Sequence, residues 1–139
     1  MIFRQLFDKE SSTYTYLIAD DKSGQAALVD PVLEQVERDL KLIAELGCKL
    51  VCVLDTHVHA DHVTGAGTLR ERTGATTHVS SQGGAPCADV ALTDGHLIGV
   101  GCIVIRALAT PGHTNGCMSF VVSCEGEPMR VLTGDALLV

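Results

Sequence analysis

Apolar positions fall in runs of strand length, broken at short intervals by turn residues. Residues 2–7 and 14–19 are two such runs, with the polar stretch Asp8-Lys9-Glu10-Ser11-Ser12 between them, and they predict an antiparallel hairpin. A second turn at residues 20–25 leads to a strand at 26–29 that stops at Asp30-Pro31. From residue 32 the period changes. Leu33, Val36, Leu40 and Ile43 recur at three- and four-residue intervals, with Glu34, Glu37, Arg38 and Lys41 between them, so residues 32–46 predict an amphipathic helix ended by Gly47. Residues 50–54 are continuously apolar, as suits a strand covered on both faces. A short helix at 63–72 ending near Gly74, a strand at 75–80 and a loop at 81–86 follow. Further strands are expected at 103–109, 118–122 and 131–133, the last two separated by a turn at 124–128. Hairpins mixed with helical crossovers predict an α/β fold in one domain spanning 1–139.

Composition narrows the class. Hydrophobic residues make up 46% and charged residues 19%, enough apolar side chain to exclude a disordered chain. Aromatics are only 4%, so the core must be aliphatic. Ten basic against seventeen acidic residues give a net charge of −7, which argues against nucleic-acid binding. No apolar stretch nears the ~18–20 residues of a membrane span, and no signal peptide opens the chain. The six cysteines, at 48, 52, 87, 102, 117 and 124, lack CxxC spacing. Cys52, Cys102 and Cys117 fall in runs that read as buried strands, so thiols in a reducing cytoplasm are expected rather than a disulfide framework. The apolar stretch 134–139 reads as a cut inside a larger fold.

The chemistry concentrates in a few loops. His57, His59 and His62, with Asp61 among them, follow the buried strand directly, where α/β sheets gather ligands. His113 follows another strand within Pro111-Gly112-His113-Thr114, and Asp135 follows a third within Thr133-Gly134-Asp135. Imidazoles and carboxylates delivered from several strand ends make a divalent-metal site, and these donors suit iron and zinc alike. His78 and His96 read as structural or surface positions, and Cys117 as a packed strand residue.

The set His57-Val58-His59-Ala60-Asp61-His62, Gly112-His113-Thr114 and Gly134-Asp135 resembles the H-x-H-x-D-H, G-H-T and G-D signatures of the metallo-β-lactamase superfamily. The opening 3–8 and 12–20, with Thr56 to Gly65 and Thr133 to Leu138, is similar to its persulfide dioxygenase branch. The resemblance implies an αββα sandwich of which this chain carries the N-terminal half to two-thirds. It further implies one Fe(II) held by His57, His113 and Asp135, with His59, Asp61 and His62 supporting them, and oxidation of glutathione persulfide by O₂ to sulfite and glutathione. The alternatives are a zinc thioester hydrolase like glyoxalase II and a truncated, non-catalytic metal-binding fragment. In the hydrolase, His59 would join the first Zn(II), Asp61 and His62 would hold a second, and Asp135 would bridge them. An interrupted sandwich leaves apolar sheet exposed, so a homo-oligomer is expected.

Overall fold

The computed structural model describes residues 1–57, 64–81, 88–110 and 117–133. Two sheets pack face to face. The first has six strands in the order β1 (Ile2–Asp8), β2 (Thr13–Ala19), β3 (Gln25–Val29), β4 (Lys49–Leu54), β5 (Thr76–Ser80) and β6 (Val90–Leu92). Its first three strands are antiparallel, as the polar turns between them require. From β3 onward the pairing is parallel, because α1 (Val36–Glu45) and α2 (Ala66–Thr73) carry the chain back between strands. The second sheet is an antiparallel meander of β7 (Leu97–Val100), β8 (Ile103–Ala109), β9 (Met118–Ser123) and β10 (Arg130–Leu132).

Side-chain alternation divides the interior into two layers. Ile18, Ala27, Val29, Cys52 and Leu54 of the first sheet meet Ile103, Ile105, Ala107, Phe120, Val122 and Leu132 of the second. On the opposite face of the first sheet, Leu17, Leu28, Leu50 and Val53 pack against Val36 and Ile43 of α1 and Leu69 of α2. β4 is therefore covered on both sides, and its unbroken apolar run follows from that. The outer face of the second sheet has no such cover among the described residues: Leu97 is 62% exposed, Val104 42% and Val131 55%. The described layers run helix, sheet, sheet.

Most elements lie where the apolar pattern puts them, with three differences. The first helix opens as a 3-10 turn at Leu33–Gln35, and the α-helix proper starts at Val36. The second helix starts at Ala66, because Thr64 is held by a bridge to Val32 and the Thr64 hydroxyl accepts the Ala66 amide at 3.1 Å. A side chain at Gly65 would meet Val36 and the Val32 carbonyl, so the chain turns there on a residue without one. Third, β6 and β7 were not signalled by the pattern; three and four residues are too few to show an alternation. Cys52 and Cys117 are buried as expected, but Cys102 is exposed, because the chain turns at Gly101 (φ +59°) instead of continuing a strand.

Candidate metal centre

His57 stands two residues past Asp55 at the carboxyl end of β4 and is 8% exposed. Its surroundings are built from backbone outward. Asp30, just after β3, has φ 55°, a conformation few non-glycine residues adopt. Its backbone is held at both ends: its amide donates to the Leu54 carbonyl at 2.8 Å, and its carbonyl accepts the buried Thr15 hydroxyl at 2.8 Å. Its carboxylate accepts the Thr56 amide on Oδ1 and the Thr56 hydroxyl on Oδ2, both at 2.8 Å. The bracket fixes Thr56, and Thr56 fixes its neighbour. Thr56 Oγ1 lies 2.9 Å from His57 Nδ1.

A hydroxyl has a single hydrogen. Since Thr56 gives it to Asp30, its oxygen can only accept from His57, so Nδ1 carries the proton and Nε2 the lone pair. A metal-binding imidazole needs this arrangement, with the outer nitrogen protonated toward an acceptor and the other nitrogen turned to the ion. His57, the one candidate ligand among the described residues, thus has the tautomer a divalent metal requires.

The described flanks of the segments that hold the other candidate residues lead to the same end of the sandwich. Asp55 receives the Thr64 hydroxyl at 3.3 Å and donates its amide to the His78 carbonyl at 3.1 Å, so both sides of segment 58–63 are anchored. The Thr110 amide donates to the Cys117 carbonyl at 3.0 Å, and Thr110 and Ser119 hydroxyls lie 3.1 Å apart, which closes the base of segment 111–116. Among the described residues one backbone bond joins the sheets here: the Met118 amide donates to the Thr56 carbonyl at 2.6 Å. β10 pairs Arg130 with Val122 and Leu132 with Phe120, so it runs toward this end before residue 134. His59, Asp61, His62, His113 and Asp135 themselves lie outside the described residues.

The sequence matches the metallo-beta-lactamase superfamily over residues 8–139. The chain belongs to that superfamily. Within it, the sequence is 43% identical over all 139 residues to the mouse protein named persulfide dioxygenase ETHE1, mitochondrial, and covers 54% of that protein. The crystal structure of ETHE1 from Myxococcus xanthus superposes with a TM-score of 0.92 at 58% identity, over 100% of this chain and 59% of that one. A hydroxyacylglutathione hydrolase of Cereibacter sphaeroides is 34% identical over 130 residues, 92% of this chain and 49% of that protein. This superfamily chain spans about half the length of the curated relatives it matches.

Asp30 and Thr56 carry weight that sequence reasoning did not assign. In the sequence the Asp-Pro step after β3 reads only as a strand stop, and a threonine before a histidine loop has no signature without its partner. His78 behaves as expected of a structural histidine. It is 7% exposed, its Nε2 lies 2.9 Å from the Thr76 hydroxyl, and burial followed by the nearby His96 pushes its pKa down to about 4.

Proposed function

We propose that this chain is the metal-binding part of an Fe(II)-dependent persulfide dioxygenase that oxidises glutathione persulfide with O₂ to sulfite and glutathione. The observation that carries the reading is identity of 43% across the entire chain to a protein of that name, against 34% to the hydrolase relative. In this reading the single domain spans residues 1–139, and His57, His113 and Asp135 hold the iron through two neutral imidazoles and one carboxylate. His59, Asp61 and His62 surround these ligands and orient them.

When bound, ferrous iron supplies Lewis acidity and redox chemistry suited to dioxygen, and a facial set of three ligands leaves room for reactants. The protein's own part begins with His57. Asp30, through Thr56, keeps the Nδ1 proton on the side away from the ligand position, so Nε2 is always ready to bind. A single anionic ligand among three leaves the centre net positive, which favours an anionic persulfide sulfur over a neutral thiol.

The decisive experiment loads the purified chain with Fe(II) under argon, then follows O₂ uptake and sulfite release with glutathione persulfide. Expected are one iron per chain and sulfite formed in step with O₂. Two bound zinc ions with hydrolysis of a glutathione thioester and no O₂ uptake would overturn the reading in favour of the hydrolase. The 34% identity to a hydroxyacylglutathione hydrolase is what keeps that second reading open. Two further elements belong to the proposal. Exposed Leu97, Val104 and Val131 support self-association, which sedimentation tests directly. A cytoplasmic location rests on the six scattered cysteines without CxxC spacing; the mouse relative is named as mitochondrial.

A further inference from the structure

Two cysteines meet at the end of the second sheet that lies away from His57. Cys102 sits in the turn between β7 and β8, and Cys124 follows β9 directly. Their Sγ atoms are 3.9 Å apart, in van der Waals contact. The turn that presents Cys102 is held tightly. Its amide donates to Asp20 Oδ2 at 3.1 Å, and the Gly101 amide donates to Gln25 Oε1 at 2.9 Å. A side chain at Gly101 would collide with Asp20 and Ser23, so the turn is packed onto the first sheet without slack. Cys124 is half-buried and packs against the inter-sheet core, whereas Cys102 is exposed.

We propose that Cys102 and Cys124 form a reversible dithiol–disulfide site that exchanges with low-molecular-weight disulfides. Bond formation needs the two sulfurs to close to ~2.05 Å, a side-chain adjustment rather than a movement of strands. The order of events follows from accessibility. The Cys102 thiolate attacks one sulfur of a small disulfide RSSR, forming a mixed disulfide and releasing RS⁻. The Cys124 sulfur then attacks Cys102, closes the protein disulfide and expels the second RS⁻. Two protein thiols lose two electrons and two protons, and RSSR becomes two RSH. Burial, the adjacent Cys102 and Glu127 push the Cys124 thiol up, which fits it to the second, intramolecular step rather than the first. The competing described thiols are less suited, since Cys52 and Cys117 are 3% exposed and the Cys48 thiol faces the Leu46 carbonyl at 3.6 Å.

The site lies about 20 Å along the chain of β9 from Met118, so it is separate from the proposed metal chemistry. Its closure ties the β7–β8 turn to the β9–β10 turn and closes a loop that contains segment 111–116.

The test incubates the native full chain with oxidised glutathione, caps remaining thiols and maps tryptic peptides without reduction. Cleavage after Arg106 separates the two cysteines into different peptides. Expected is a linked pair whose fragmentation places the bond between Cys102 and Cys124, with an intact mass lower by two hydrogens and reversal by dithiothreitol. Melting should rise by several degrees on oxidation, because the cross-link restricts the unfolded chain. Cys124→Ser should instead hold glutathione on Cys102 as a stable mixed disulfide. The proposal is overturned if the native chain keeps glutathione on Cys102, links either residue to Cys87 or Cys117, joins two chains covalently, or stays fully reduced.

Discussion

Replacing Thr56 with valine removes one oxygen from a side chain that is 2% exposed and leaves its volume nearly unchanged, so packing is preserved while two contacts vanish. The Asp30 carboxylate, 5% exposed, loses its 2.8 Å hydroxyl donor but keeps the Thr56 amide on the other oxygen. A hydrogen bond to a charged acceptor contributes about 1.5–3 kcal/mol, so folding stability should fall by about 2 kcal/mol. His57 Nδ1 loses the acceptor at 2.9 Å that fixes its tautomer. Losing the partner of a metal-binding imidazole weakens metal affinity by about 10–100-fold, or about 1.4–2.7 kcal/mol. Fe(II) affinity is read under argon by competition with a chromophoric chelator, and stability by urea titration of the metal-free protein. Thr56→Ser retains the hydroxyl and should bind metal within about twofold of the parent. If Thr56→Val binds as tightly as the parent, or if serine is as poor as valine, the relay from Asp30 to His57 does not govern the site.

Three other substitutions probe different layers. His78 stays neutral in the folded protein down to about pH 4, whereas the unfolded chain takes up its proton near the ordinary 6.5. Its contribution is therefore present above pH 6.5 and is lost as the pH falls toward 4; His78→Gln should reduce that acid-side loss by about 3 kcal/mol in urea titrations at pH 7 and pH 4. Asp39, raised to about 6 by burial, acts with opposite sign in the same window and is untouched by this change, so the difference between parent and variant isolates the imidazole. Phe120→Ala empties the centre of the inter-sheet core, where Phe120 is 0% exposed, and should cost about 3–5 kcal/mol by the same denaturation. Gly65→Ala forces a methyl against Val36 Cγ2 at 2.9 Å and should cost about 1–3 kcal/mol. Because Thr64 beside it anchors Asp55, metal affinity measured by chelator competition should fall as well.

The readable parts of the sequence are those in which one physical signal decides the outcome. The doubly buried run at β4 has no polar position to offer solvent, and α1 shows its apolar stripe over three turns. β6 and β7 are short, and what holds them is pairing with β5 and β8, which no local pattern encodes. The apolar neighbours of Cys102 predict a strand; the turn arises from Gly101 packing onto Asp20 and Ser23, about eighty residues away in sequence. The same holds at the candidate site. His57 was legible because histidines are rare and cluster after a strand, while Asp30 gains its role only when β3 and β4 lie side by side and its carboxylate reaches Thr56.

The backbone link from the Met118 amide to the Thr56 carbonyl ties the second sheet to the strand end that carries His57. Substitutions deep in β8 or β9 that loosen the seating of the meander should therefore register as faster metal loss, with every ligand side chain intact. Amide exchange at Met118 would follow that loosening residue by residue, and would slow again as the ion is restored.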